Sequence, residues 1–159
     1  MISILRKSQH EKTNITIEDL WKIKRPAGLS MSPDGSQVVC ALSRYDMAEN
    51  SASSDLWLLS TFGGDARQLT NGGEKDGQAS FSPDGSAIAF ISKRAGDDVP
   101  QLYVIAPDGG EARRVTTLAT GVAGIKWFPS SKKIAFISWV WPDLGDEKSQ
   151  AKRLFDKKT

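Results

Sequence analysis

The chemistry-bearing residues of this chain are few. His10 and Cys40 are each the only one of their kind. A lone histidine at a polar N-terminus, between Gln9 and Glu11, cannot complete a Ser-His-Asp arrangement within this span and is expected to be exposed and idle. Cys40 lies in the apolar run Val38-Val39-Cys40-Ala41-Leu42. It reads as a buried small hydrophobe, with no cysteine left to pair with and no cysteine-based metal site. Two carboxylate pairs, Asp97-Asp98 and Asp143 with Asp146, sit in Gly- or Pro-bearing loops, where acidic residues usually serve as solvated turn formers. The sequence holds no G-x-S-x-G, no H-E-x-x-H, no Walker loop and no calcium loop. Its glycines are not set in a strand–Gly–helix unit that would cradle phosphate. This span is therefore expected to carry no catalytic residue, no metal and no cofactor.

What the chain repeats is scaffold. Ser32-Pro33-Asp34-Gly35 returns 50 residues later as Ser82-Pro83-Asp84-Gly85, and Phe128-Pro129-Ser130-Ser131 is a degraded third copy 46 residues on. At that same spacing of 46, Gly63-Gly64-Asp65-Ala66-Arg67-Gln68-Leu69-Thr70 matches Gly109-Gly110-Glu111-Ala112-Arg113-Arg114-Val115-Thr116. The pentapeptide Ile88-Ala89-Phe90-Ile91-Ser92 recurs unchanged as Ile134-Ala135-Phe136-Ile137-Ser138. Repeats of this period mark a β-propeller built blade by blade. Three copies close no ring, so the chain is expected to open a larger protein.

The residue types fit the repeat. Proline presets φ at the second turn position, aspartate tolerates the third, and glycine takes the left-handed conformation that follows. Ser131 in that last position costs roughly 1–2 kcal/mol if it stays left-handed. Within the first repeat, strands are predicted at 37–43, 55–60 and 66–70, with a polar loop over 44–54. In the second they are predicted at 78–82, 87–91, 101–105 and 111–116. The middle strands are apolar throughout rather than alternating, which suits a sheet covered on both faces. Phe90, Phe136, Trp57 and Tyr103 are read as packing between and within blades. The third repeat stops after two strands, and a charged, helical tail follows.

The predicted organisation is a leader with a short helix over 1–27, a first blade over 28–76, a second over 77–121, the start of a third over 122–141, and a charged tail or insertion over 142–159. A strand at Ile2 to Leu5 is expected in the leader. Thr16 is placed to cap a helix from Ile17 to Lys22, with Glu18 and Asp19 in its first turn. The fold class is thus all-β, an incomplete propeller with a short N-terminal helix. The net charge of +2 and the scattered lysines and arginines give no nucleic-acid footprint, and the mixed charges of Lys148 to Lys158 read as a solvated helix. No segment is long and apolar enough to span a bilayer, and Arg6-Lys7 is followed by polar residues rather than an apolar core. A cytoplasmic location is expected, with no membrane partner.

The S-P-D-G turn, followed by Ile-Ala-Phe and by G-G-x-x-R-x-L/V-T, resembles the propeller repeat of two groups. One is the prolyl oligopeptidase class of serine peptidases, with the acylaminoacyl peptidases and dipeptidyl aminopeptidases. The other is the TolB-type propeller. Ile17 to Pro26 running into the first S-P-D-G, and Trp139-Val140-Trp141-Pro142-Asp143 with its lysine-rich sequel, look like the peptidase group. The resemblance implies about two and a half blades of a seven- or eight-bladed ring. It implies as partner a downstream α/β-hydrolase domain carrying the Ser-Asp-His triad, and short peptides as substrates, with this segment gating and size-selecting them. Loops 44–54, 94–100 and 139–147 are then candidates for the face turned to the hydrolase. Trp139, Trp141, Arg44, Tyr45 and Arg94 are the candidate gating or domain-interface residues. The alternative is a non-catalytic, TolB-like interaction scaffold. Uncovered blade edges also make a homo-oligomer possible.

Overall fold

The computed structural model describes residues 14–72 and 74–158. The strand expected at Ile2 to Leu5 and the solitary His10 lie outside them. Helix α1 spans Ile17–Lys22 and is closed by a capping box. The Thr16 hydroxyl accepts from the Asp19 backbone N–H at 3.3 Å, and the Asp19 carboxylate accepts from the Thr16 N–H at 3.1 Å. Pro26 lies beyond the helix, in the first strand.

Ten strands follow: β1 (Arg25–Met31), β2 (Gln37–Asp46), β3 (Ser51–Ser60), β4 (Arg67–Gln68), β5 (Gly77–Phe81), β6 (Ile88–Ser92), β7 (Gln101–Ala106), β8 (Gly109–Arg114), β9 (Ala123–Trp127) and β10 (Ile134–Ile137). Helix α2 runs Glu147–Lys158. The strands form three antiparallel sheets in chain order, β1-β2-β3-β4, β5-β6-β7-β8 and the pair β9-β10. This is an incomplete all-β propeller with no closed barrel. The polar loop expected over 44–54 is instead most of a long hairpin. β2 and β3 pair without interruption from Gln37↔Ser60 to Asp46↔Ser51. Ladder pairing and the anchoring of Ser54 and Asp55 override the weak strand propensity of Ser51-Ala52-Ser53-Ser54. The fourth strand of the first blade is shorter than the expected 66–70.

The turns are built alike. The Ser32 hydroxyl donates to the Asp34 carboxylate at 2.6 Å and accepts from the Gln37 N–H at 2.9 Å, and Ser82 does the same with Asp84 and Ala87 at 2.6 and 3.0 Å. Gly35 and Gly85 take φ of 73° and 74°, and Ser131 keeps the left-handed value at 57°. Thr70 and Thr116 end the matching octapeptides by accepting the backbone N–H of Leu56 and Leu102 at 2.9 and 3.0 Å. The side-chain donors hold Asp34 and Asp84 down at about 2, the Ser32 and Ser82 hydroxyls first and the Ser36 and Ser86 N–H groups next. A depressed folded value contributes stability that is present above the ordinary carboxylate range and lost as pH falls. The thermal midpoint is therefore expected to drop between about pH 4 and pH 2. Replacing both aspartates by asparagine should flatten that acid limb, and an unchanged limb would show that other carboxylates govern it.

The core explains why the middle strands are apolar. Ile88 and Phe90 join Val39, Leu56, Leu58, Phe81 and Tyr103 between the first and second blades. Ala89 and Ile91 point the other way, into a cluster with Leu102 and Val122 against which Ile125, Trp127 and Ile134 pack. The period of two survives inside an unbroken apolar run because both faces are covered.

The inner strands β1, β5 and β9 are tied in series. Ser30 Oγ accepts from the Phe81 N–H at 3.1 Å, and Trp127 Nε1 donates to the Ser80 carbonyl at 3.0 Å. Each inner strand breaks register at one residue with positive φ: Gly28 at 61°, Gln78 at 50° and Gly124 at 55°. Their spacing is that of the repeat. Gln78 holds a conformation its siblings leave to glycine, and its carboxamide oxygen accepts from the Gly124 N–H at 2.9 Å.

Candidate functional site

The β2–β3 hairpin tip and the β6–β7 connection project from one side of the two full blades. The linker between the blades joins them there. Ser54 N–H donates to the Glu74 carbonyl at 3.4 Å, Asp76 N–H to the Ser54 carbonyl at 2.9 Å, and Glu74 N–H to the Lys93 carbonyl at 3.1 Å. The Ser54 hydroxyl adds a bond to the Asp76 carbonyl at 2.8 Å.

Charged groups line this junction. Arg44, on β2 rather than in a loop, meets the buried Asp55 at 2.5 Å. Burial pushes the Asp55 carboxyl up; Arg44 opposes the shift and the Asp76 charge adds to it. Arg94 reaches the wholly buried Asp76 side chain at 3.5 Å and lies over the rings of Phe90 and Tyr103, at 5.5 and 5.1 Å from their centroids. Asp97 is not the solvated turn former expected from its loop. It is buried, accepts from the Tyr103 hydroxyl at 2.6 Å and the Arg94 N–H at 3.2 Å, and pairs with Arg114 at 3.0 Å. Its neighbour Asp98 is exposed. Burial, then the bond to Asp97 and its charge, push the Tyr103 phenol up to about 12.

Tyr45 follows Arg44 on β2. Its ring lies 4.6 Å below the Arg25 guanidinium and meets Trp21 of α1 edge-on at 6.0 Å. Tyr45 and Trp21, with Ile17 and Met47, line an open cavity of ≈ 500 Å³.

Trp139 and Trp141 form a separate group at the exit of β10. Trp139 is 84% exposed. Trp141 is half-buried, under Arg153 and Lys157 of α2 at 5.8 and 5.4 Å. Buried Gln150 holds this segment, accepting from the Trp141 N–H at 2.8 Å and donating to the carbonyls of Trp141 and Leu144 at 2.9 and 2.8 Å. Asp146 caps α2 by accepting from the Ser149 N–H at 3.0 Å, and Asp143 pairs with Arg153 at 2.5 Å. Both are exposed in the loop before α2, and the cap made by Asp146 and the ion pair made by Asp143 go beyond the solvated-turn role read from the sequence. A cleft of ≈ 540 Å³ separates α2 from the second blade.

The geometry thus sets Arg44 and Tyr45 on β2 of the first blade, Arg44 on Asp55 and Tyr45 against α1, places Arg94 of the second blade on Asp76 of the linker, and carries the two tryptophans on the segment after β10. Sequence reasoning missed Asp55, Asp76, Asp97 and Arg114. The octapeptide match held a usable signal for the last, because Gln68 and Arg114 occupy equivalent positions and donate to the Thr70 and Thr116 carbonyls. Among the described residues, no group of three or more His, Cys, Asp or Glu is disposed to hold a metal, and no helix is long and apolar enough to cross a membrane.

Comparison with known proteins fits this scaffold. The uncharacterized peptidase YuxL of Bacillus subtilis is 33% identical over 123 residues, 77% of this chain and 19% of that protein. Dipeptidyl-peptidase 5 of Porphyromonas endodontalis is 29% identical over 126 residues, 79% of this chain and 18% of that protein. The chain thus spans less than a fifth of the length of either relative. The acylaminoacyl peptidase of Pyrococcus horikoshii superposes with a TM-score of 0.62 over 77% of this chain and 20% of that one; at 16% identity the likeness is one of fold. The model of the TolB beta propeller domain matches residues 24–141, which takes in all three sheets, and the chain belongs to that family.

Proposed function

We propose that this chain is a propeller segment of a serine peptidase that cleaves short peptides, and that it gates and size-selects substrates for a hydrolase domain elsewhere in the same protein. The observation that carries this reading is that two relatives, aligned over more than three quarters of the chain, are both named as peptidases. The geometry supports the division of labour. The ion pairs are structural, Arg44–Asp55 within the first blade, Asp97–Arg114 within the second and Arg94–Asp76 between the second blade and the linker, which fits a segment that contributes walls. The chemistry assigned to the hydrolase domain is acyl transfer, in which a serine attacks the peptide carbonyl, a histidine moves the proton and water releases the acyl-enzyme.

The test starts with the gene beyond codon 159. A frame that continues through further blades into G-x-S-x-G, then Asp, then His is expected. The full-length product should react with a fluorophosphonate and hydrolyse dipeptidyl or acylaminoacyl anilides while refusing folded proteins. Alanine at Trp139 and Arg94 should relax that size limit without abolishing fluorophosphonate labelling. A frame ending after the propeller alone would overturn the reading in favour of a non-catalytic interaction scaffold. The TolB family assignment favours that second reading.

A further inference from the structure

The chain has three asparagines, Asn14, Asn50 and Asn71, and only the last precedes a glycine. An Asn-Gly bond is labile, because the glycine nitrogen, with no side chain to shield it, can attack the asparagine carboxamide. The reaction needs that nitrogen unengaged and the pair open to water. Asn71 and Gly72 are both exposed, in the segment between β4 and β5. Among the described residues the Gly72 N–H donates no hydrogen bond and the Asn71 carboxamide makes none. The Asp-Gly bonds of the blade turns, which could close the same ring, are guarded. The Gly35 and Gly85 N–H groups donate to the Ser32 and Ser82 carbonyls, both at 2.9 Å, and the Asp34 and Asp84 carboxylates are held by serine hydroxyls. Asn50 precedes Ser51, which is paired with Asp46 in the hairpin ladder. Asn14 precedes Ile15, whose branched side chain crowds the nitrogen.

We infer that Asn71 is a modification site, where the Gly72 nitrogen closes a succinimide that water opens to isoaspartate and aspartate. The nitrogen loses its proton and bonds to Cγ of Asn71; the Cγ–Nδ2 bond breaks and ammonia leaves. Water then splits one of the two ring C–N bonds. Breaking the bond to the Asn71 main-chain carbonyl leaves isoaspartate, whose chain runs through Cγ and is one atom longer. Breaking the bond to Cγ leaves aspartate. Either way one water is consumed, one ammonia is released and one negative charge is gained. The position couples this chemistry to the blade junction. Before it, the Thr70 hydroxyl accepts from the Leu56 N–H at 2.9 Å; after it, the Asp76 N–H donates to the Ser54 carbonyl at 2.9 Å. Both anchors lie on β3, so an added main-chain atom must be absorbed between fixed ends. A Cβ on Gly72 would stand 3.0 Å from Arg94 Nη1, so the new carboxylate arises beside the guanidinium that pairs with buried Asp76 and competes for it. This inference stands independently of the peptidase reading.

Peptide mass mapping of the 159-residue chain, kept for weeks at mildly alkaline pH, tests it. A gain of about 1 Da is expected in the peptide that holds Asn71 and not in those that hold Asn14 or Asn50. Methyl transfer to the aged chain by an isoaspartyl methyltransferase should report the isoaspartate. Gly72 is not left-handed, and a Cβ there meets only the flexible end of Arg94, so Gly72→Ala keeps the fold and should slow the gain about tenfold. Asn71→Gln should abolish it. Asn71 left intact in the folded chain while the same chain in urea converts, or conversion spread equally over the three asparagines, would overturn the site. The aged parent should also have a lower urea midpoint than equally aged Asn71→Gln. Equal midpoints with Asn71 converted would overturn its coupling to Arg94 and Asp76.

Discussion

Phe90→Ala should cost about 3–5 kcal/mol, enough to unfold most of the chain, since a domain of this size holds only some 5–15 kcal/mol in all. Phe90 is fully buried, stacks on Tyr103 at a centroid distance of 5.8 Å, and shares the Arg94 guanidinium with that ring, at 5.5 and 5.1 Å from the two centroids. It sits among residues of both full blades, so its loss opens a cavity where neither sheet can collapse without moving the other. The measurement is the urea midpoint, with near-ultraviolet dichroism for tertiary packing. Phe62→Ala is the matched control. That ring is 88% exposed in the β3–β4 turn and its removal should change stability by no more than about 0.5 kcal/mol. If the two variants behave alike, the blades are not packed on one another.

The contrast between these two phenylalanines shows what the sequence carries. The blades were legible because their signals are local and repeated: a serine that bonds an aspartate two residues on, a glycine at positive φ, a threonine that closes the next strand. The burial of Phe90 was legible because Ala87 to Ile91 is apolar at every position, a pattern that only a doubly covered strand explains. The extension of the β2–β3 hairpin was not. Arg44 to Ser54 has weak strand propensity, and what orders it is non-local: ladder pairing across a tight tip, the Arg44–Asp55 pair and the tie from Ser54 to Asp76. Phe136 marks the other limit. Its sequence context is that of Phe90, yet its exposure is set by strands that are not among its neighbours.

Gln78 lies between these cases. The repeat spacing aligns it with Gly28 and Gly124, and two glycines at equivalent positions are a readable sign of a left-handed bulge. That a glutamine occupies the third is explained only by the structure, where its carboxamide binds the backbone of the next inner strand. One of the two side chains that tie β5 to β9 thus stands on a backbone conformation that β-strands rarely accept. Strain of this kind persists where surrounding contacts over-determine it.

The candidate site was least legible at its acidic residues, and Asp97 makes the sharpest test. In sequence it is one half of Asp97-Asp98 in a glycine-bearing loop, with nothing to separate the two. In the structure Asp97 is buried on the Tyr103 hydroxyl and Arg114, six and 17 residues along the chain, whereas Asp98 faces solvent. Asp97→Ala should therefore destabilise by about 3 kcal/mol, since it strands a buried phenol and half-buried Arg114 together. Asp98→Ala should cost no more than about 0.5 kcal/mol. Tyr103→Phe falls between them, at about 1–2 kcal/mol, because Arg114 and the Arg94 N–H still hold the carboxylate. The phenol adds a pH signature that a generic packing defect lacks. Its folded value is raised, so the stabilisation is complete below the ordinary tyrosine value near 10 and is lost as pH climbs towards about 12. Urea midpoints should fall over that window in the parent chain and fall less in Tyr103→Phe. Equal losses for Asp97→Ala and Asp98→Ala, or an alkaline limb unchanged by Tyr103→Phe, would mean that this cluster does not fasten the β6–β7 connection to the second blade.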